Sequence, residues 1–325
     1  MAKAQAVLEL RPATIADAEK VADLETARTP DEPRDPEMLR FRWAAAPAGE
    51  VFTRMLAERD GSAIAYLYAA HMPWKEVPTR FGSMRFALHP KSWTDAQYEQ
   101  LVEAGEAWVR AEGGQMGVVR LRADISNEVR VLERRGYREV RRGRQWELDL
   151  TAHRERLLAS AEEGRKRMRK EGVRVVTLDR DTDPDRLTKL YEMSIMGERD
   201  IPTTVPMHTM SYEEWHHLWF DNPGTRADRF WIAREGDAIV GLSAIEYPPT
   251  RGVPWTAFTT TARRVRGRGI ARALKYATIA QAIALGVERI RTQNDGENAP
   301  ILHLNAQMGY VPIDPVLELH RELNP

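Results

Sequence analysis

The chain has 325 residues, of which 42% are apolar and 30% charged; 48 basic and 48 acidic side chains give a formal net charge of zero, and cysteine is absent. That balance offers no general attraction to nucleic acid or anionic membrane, and the missing thiols exclude disulfides, cysteine-ligated metals and an acyl-cysteine intermediate. The length suits two ordinary domains; apolar runs far short of the ~20 residues of a spanning helix and an N-terminus without an apolar leader make a cytoplasmic location the expectation.

A short strand is expected over 7–11, followed by Thr14 as a helix N-cap with Asp17 three residues on. VFTRMLAERDGSAIAYLYAAH places two apolar segments around Asp60-Gly61, a hairpin pattern. A strand over 80–88, a helix over 94–112 and a strand at VVRLRADI come next. A short helix in NEVRVLERRG, ended by Gly136, and a strand over 145–150 complete the first half.

The second half repeats the plan. VRVVTL reads as a strand, PDRLTKLYEMSI as a helix and SYEEWHHLWF as a helix capped by Ser211. RFWIAREGDAIVGLSAIEY is a hairpin turning at Glu235-Gly236-Asp237, and TAFTTTARRV is a β-branched strand. A helix over 270–285 stops at Gly286, VERIRTQND is a strand, and ILHLNAQMGY is a helix stopped by Gly309. LERRGYREV (132–140) echoes LNAQMGYVP (304–312), which argues for internal duplication. Residues 1–150 and 173–325 then form two domains, joined by a charged helical linker over 151–172. The run Arg165, Lys166, Arg167, Arg169, Lys170 in that linker reads as a solvated helix rather than a nucleic-acid contact.

RRVRGRG, leaving the threonine-rich strand, sets Gly267 and Gly269 among arginines where a helix begins. Glycines let backbone turn sharply and approach a ligand closely, and a helix start offers unpaired N–H groups at the positive end of its dipole. The loop suits a pyrophosphate, with Arg264, Arg266 and Arg268 adding charge at its rim. A plain tight turn in an arginine-rich surface loop is the alternative. The spacings of the two common nucleotide loops, G-x-x-x-x-G-K-[ST] and G-x-G-x-x-G, are both absent.

The wider order of motifs closely resembles the GNAT superfamily of acyl-CoA-dependent N-acyltransferases. It is carried by R-x-x-G-x-G at 264–269, IARALK at 270–275, T-x-N-x-x-x-N at 292–298 and N-x-x-M-G-Y at 305–310. The tandem arrangement is similar to two-domain acetyltransferases of the mycothiol-synthase type. The resemblance implies an α/β fold in which two GNAT-like domains each have a mixed, mostly antiparallel central sheet flanked by helices. The first half has HPKSWTDAQYEQ (89–100), without a glycine, where the phosphate loop belongs, so it is expected to be a degenerate copy.

By the same resemblance, acetyl-CoA or another acyl-CoA lies between the strand ending at 259–263 and the strand at 287–292. It would be held by Thr260, Thr261, Arg263, Arg264, Val265, Arg266, Gly267, Arg268, Gly269, Ile270 and Ala271, with Asn294, Asn298 and Asn305 beside it. The amine attacks the thioester directly in a ternary complex, and no metal takes part. Asn305 occupies the place where the family commonly has a tyrosine proton donor, and an amide is no general acid near neutrality; His303 or a water chain are the substitutes considered. Glu246 is the candidate base, acting through water, with Tyr247 and Asp295 as alternatives. The expected function is N-acetyl transfer to an amine, on a small molecule rather than on nucleic acid or a membrane; a non-catalytic acyl-CoA-binding module is the alternative. His208, His216 and His217 near Glu213 and Glu214 match no metal motif. In the segment 198–219, which covers the acceptor in GNAT enzymes, Trp215 and Trp219 are assigned to core packing.

Overall fold

A computed structural model describes residues 7–47, 49–201, 203–205, 208–296 and 298–323. The first half supplies strands β1 (Arg11–Pro12), β2 (Val51–Arg59), β3 (Ser62–His71), β4 (Phe81–Leu88), β5 (Met116–Arg122) and β6 (Arg138–Asp149), with helices α1 (Ala18–Arg28), α2 (Pro36–Ala44), α3 (Asp95–Ala111) and α4 (Ser126–Arg134). Helix α5 (Arg154–Lys170) leads into the second half: β7 (Val173–Thr177), α6 (Arg186–Glu198), α7 (Tyr212–Phe220), β8 (Phe230–Glu235), β9 (Ala238–Glu246), β10 (Trp255–Thr261), α8 (Ile270–Ala284), β11 (Arg289–Asp295), α9 (Ala299–Met308) and β12 (Val311–Glu322). No helix among these residues is long and apolar enough to cross a membrane.

All twelve strands join one sheet, in the order β1-β2-β3-β4-β5-β12-β6-β11-β10-β9-β8-β7. Successive side chains of a strand face opposite ways. In β3, Ala65, Leu67 and Ala69 meet α3 in one core, while Tyr66 meets α1 in another. In β8, Phe230 and Ile232 pack with α6 and α7, and Ala233 packs beneath α8. The sheet is mixed and mostly antiparallel, as the resemblance implies, with parallel pairs at β4–β5 and β10–β11.

The centre of the sheet exchanges strands between the halves. β12, from the end of the chain, pairs with β5 along Val316–Glu322 and with β6 on its other side. β6 in turn pairs with β11 from Arg289↔Asp149 to Asp295↔Gly143. The last strand of each half thus completes the other half's sheet.

Three local outcomes differ from the sequence expectations. The strand expected over 7–11 forms only at Arg11–Pro12, because both backbone groups of Leu8 are bonded by the Gln100 amide of α3. α2 was not expected; Asp35 caps it, accepting from the N–H groups of Glu37 and Met38, and Pro36 opens its first turn. α5 is more than a solvated connection. Leu157, Ala161 and Met168 bury one face of it, while Arg165, Lys166 and Arg169 gather around Glu162 on the outside.

Most of the buried charges are held in ion pairs. The guanidinium of Arg234, 4% exposed, donates two bonds to Asp181 (2.6 and 2.8 Å), itself 1% exposed, and one to Asp183 (2.7 Å). Removing one partner of such a pair strands the other charge in a medium that solvates it poorly. Arg234→Met is expected to destabilise the fold by about 3 kcal/mol, read as a lowered urea midpoint at unchanged slope.

Candidate active site

The site begins where two parallel strands part. β10 and β11 are in register only at Trp255↔Arg291. Beyond that pair β10 stays bonded to β9 through Thr261↔Gly241, and β11 stays bonded to β6 through Asp295↔Gly143. The edges they turn towards each other therefore carry unpaired backbone groups, on a segment that includes Thr260 and Thr261. An extended chain can pair there as an added strand.

At the end of β10 the chain makes one 3₁₀ turn, Arg263–Val265, and anchors itself by burying Val265 and Ile270. Gly267 (φ 80°) and Gly269 (φ 82°) both take the left-handed conformation, which costs any other residue roughly 1–2 kcal/mol. Gly269 is the N-cap of α8, and the first helical bond runs from the Ala273 N–H to its carbonyl (3.0 Å). Ile270, Ala271 and Arg272 thus present N–H groups that lack intrahelical acceptors.

Charge around this loop is arranged in pairs. Arg263 and Arg266 bind Asp200, which they hold down to about 2; Arg264 (2.5 Å) and Arg268 (2.7 Å) bind Glu235, whose pKa they also lower. Arg167 of α5 reaches the Arg268 carbonyl (3.2 Å) and pairs with Glu171 (2.9 Å). Five guanidinium groups face three carboxylates, which leaves an excess of two positive charges beside the free N–H groups. This arrangement attracts a polyanion.

At the start of β10, residues of both halves line a cavity of about 770 Å³. Its walls include Trp255, Thr256 and Ala257 of β10, Gln293 of β11, Trp219 of α7, and Ser83–Arg85 and Arg120–Arg122 from the parting strands β4 and β5. Glu246, at the end of β9, stands in this wall. One carboxylate oxygen accepts from Arg42 of α2 (2.7 Å) and the other from Asn222 (3.1 Å). Gly224 allows this placement, since a Cβ there would come within 2.8 Å of the Glu246 side chain. Asp35 ties the halves together here: beyond capping α2, it accepts from the N–H groups of Thr250 (2.6 Å) and Arg251 (2.9 Å).

Asn305 is fully buried on α9. Its Nδ2 donates to the Asn294 side chain of β11 (2.6 Å), while its Oδ1 has no partner. A buried acceptor left open beside a free strand edge fits a ligand that brings its own N–H donors. Asn298 sits at the N-cap of α9 without capping it through its side chain. His303 is exposed and hydrogen-bonds Gln307, away from Asn305. Asp295 is bound to Arg141, and Tyr247 lies under Arg229 with its phenol pushed up by burial.

The structure thus groups Thr260 to Ala271 at the loop, Asn294 and Asn305 at the opening, and Glu246 in the cavity beyond. Arg42 and Asn222, which hold Glu246, were not anticipated; Asp35-Pro36-Glu37 was a readable helix start that would have located α2 and with it Arg42. Trp215 is fully buried and Trp219 packs against the same core, edge-on to Phe230, both as expected; Trp219 also forms part of the cavity wall. His208 pairs with Glu214, His217 with Asp221, and His216 packs against Tyr212 and Phe220.

In the first half the corresponding turn satisfies itself. His89 accepts from the Lys91 N–H, Pro90 has no N–H, and Thr94 accepts from the Gln97 N–H at the start of α3.

Residues 199–310 match the acetyltransferase (GNAT) family. No curated protein matches the sequence. Among solved structures, a GCN5-related N-acetyltransferase from Sphaerobacter thermophilus is similar over 98% of this chain and 96% of its own, at 21% identity and a TM-score of 0.68. A tandem GNAT protein from the clavulanic acid biosynthesis pathway matches over 98% and 99%, at 15% identity and a TM-score of 0.75. A glucosamine N-acetyltransferase region of a fungal multi-domain beta-N-acetylglucosaminidase matches over 98% of this chain and 38% of that one, at 12% identity and a TM-score of 0.66. At these identities the likeness is one of fold. Residues 199–310 thus match the acetyltransferase (GNAT) family, within a chain whose fold is similar to that of a tandem GNAT protein.

Proposed function

We propose that the protein is an N-acyltransferase that moves an acetyl or other short acyl group from acyl-CoA to the amine of a small molecule. One observation carries this reading. The anion-attracting loop and the cavity holding Glu246 lie at opposite ends of β10, and between them β10 parts from β11. Acyl-CoA supplies an activated thioester; the protein's residues do the rest. N–H groups at 270–272 and the loop arginines bind the pyrophosphate, and Asn305 Oδ1 accepts from an amide of the pantetheine arm. N–H groups near Thr260 and Thr261 polarise the thioester carbonyl. Glu246, oriented by Arg42 and Asn222, takes the proton that an alkylamine must lose before it attacks. A cavity of this size between the two halves suits a small acceptor rather than a polymer.

The reading is tested by titrating acetyl-CoA into the protein calorimetrically. The double substitution Gly267→Ala, Gly269→Ala removes the left-handed turns, so the N–H groups no longer converge. Two positions at about 1 kcal/mol each predict a roughly 30-fold loss of affinity. Unchanged affinity would show that this loop does not bind the nucleotide. Thiol release against a panel of small amines then separates an enzyme from a module that only binds acyl-CoA. Saturable binding without release on any amine supports the module, the reading that Asn305 in the donor's usual place would favour.

A further inference from the structure

The first half contributes its own pair of parting strands to the cavity wall. β4 and β5 are parallel and in register from Phe81↔Met116 to Met84↔Val119, and they part beyond that pair. The next residue of each strand is an arginine, Arg85 and Arg120, and both line the cavity. Arg120 Nη1 donates to Ser83 Oγ (3.4 Å). Side chains two apart on a strand share a face, so the two guanidiniums stand on one face of neighbouring strands. Like charges set side by side in this way repel each other.

Each of the two is held by a single carboxylate. Arg85 donates to Glu25 of α1 (2.6 Å) and Arg120 to Glu318 of β12 (2.7 Å). Those carboxylates are 2% and 8% exposed, whereas the Arg85 and Arg120 side chains are 39% and 44% exposed. Among the described residues neither arginine has a second acidic partner, so N–H donors of both remain open to the cavity. Arg34, from the turn between α1 and α2, adds a third guanidinium to this wall. It pairs with Glu32 (2.9 Å), yet burial, and after it the charge of Arg85, pulls its pKa down; Arg42 acts on it in the same direction. Arg42 in turn binds Glu246, which pairs with Trp255 at the start of β10. One cavity thus holds the candidate base beside β10 and a row of exposed guanidinium donors on its first-half wall.

We propose that the acceptor is a small amine that also carries an oxyanion, a carboxylate or a phosphate, and that Arg85 and Arg120 bind this anion while Glu246 faces the amine. This rests on the acyl-CoA reading above. A guanidinium presents its donors in a planar fork that matches the oxygens of either group, and here two forks from adjacent strands serve one anion. Glu25 and Glu318 fix the two side chains from behind and leave donors in front. The anion offsets the repulsion between the paired guanidiniums, which a neutral or purely cationic amine cannot do. The amine end, cationic in solution, is drawn to Glu246 instead. A dipolar molecule therefore binds in one orientation, with its amine towards β10, where the thioester carbonyl is expected.

The test sets each charged amine beside an uncharged analogue. The common amino acids, β-alanine and 4-aminobutyrate are compared with their amides, and 2-aminoethyl and 3-aminopropyl phosphate with the matching amino alcohols. Each serves as acceptor in thiol release from acetyl-CoA by the full-length protein. In at least one pair the charged member should have a kcat/KM at least about 10-fold higher, the worth of hydrogen bonds to a charged group. The series to which that pair belongs separates a carboxylate from a phosphate. Two variants follow. Arg120→Gln leaves Glu318 with Thr204 and His320 as partners, and Arg85→Lys keeps a cation for Glu25 but loses the fork. In either, folded by circular dichroism, the ratio of charged to neutral should fall by about 3-fold or more, through a raised KM for the charged member. Wild-type protein that uses both members of every pair equally, or prefers the neutral ones, overturns the proposal whether or not the variants fold; so do variants that both keep the wild-type ratio. Absence of acetyl-CoA binding by calorimetry overturns the acyl-CoA reading and this inference with it. Acetyl-CoA binding with no release on any charged amine, or with no preference for one, overturns this inference alone.

Discussion

Glu246→Gln is expected to lower turnover of any accepted amine by about 10²- to 10⁴-fold, the range of a lost general base, while leaving acetyl-CoA affinity within about twofold. The separation follows from geometry. Glu246 lies in the cavity shared by the two halves, and the loop at 263–271 lies at the far end of β10. The glutamine amide is nearly isosteric with the carboxylate, and its oxygen can still accept from Asn222 or Arg42, so the cavity wall keeps its shape. It has no basic site for the amine's proton. Thiol release at saturating acceptor and calorimetric titration of acetyl-CoA measure the two quantities. A variant that keeps more than a third of wild-type turnover would remove Glu246 from the chemistry and leave Tyr247 as the next group to test. Equal losses of turnover and acetyl-CoA affinity would make it a structural member of the wall.

The parts of this site that a sequence reveals are those built locally. Gly267 and Gly269 could be read because the left-handed turns they allow lie within a few residues of the helix they start. Ser211 with Glu214 forms the capping box its spacing promises, and Gly309 ends α9 in the left-handed conformation. Glu246 could be placed at a strand end, but the partner that orients it, Arg42, is 204 positions away and belongs to the other half. Lys275 was hidden differently. At the end of IARALK it reads as the polar edge of an amphipathic helix, and nothing local to α8 reports that it is buried against the ring of Tyr310. The expected division at 150 and 173 followed repeated sequence order, which carries no information about which strand lies beside which. β12 was the hardest element to read. VPIDPVLELHRE contains Pro312 and Pro315, and proline argues against a central strand because it lacks a ladder donor. The structure accommodates them by a register shift between Ile313 and Val316.

Ending the chain at Tyr310 is expected to abolish cooperative folding of both halves, the largest effect anticipated for any change to this protein. β12 contributes Leu317 and Leu319 to the core that α3 and α4 share with β3, β4 and β5, and Leu323 just beyond it joins them. Burying three leucines stabilises by roughly 5–9 kcal/mol, comparable with the whole stability of an ordinary domain. Their loss also leaves β5 and β6 with unpaired edges in the middle of a sheet, where exposed ladder groups invite aggregation. By the same physics residues 1–150 alone should not fold, because β6 has β11 on one side and β12 on the other, both from the second half. Co-expressed with residues 151–325 they should assemble, since the second fragment brings both missing partners. Melting followed by circular dichroism, and co-purification of the two fragments, check this directly. A sharp thermal transition in the fragment 1–150 by itself would mean that the first half is autonomous, and that the exchanged strands join two finished domains rather than complete them.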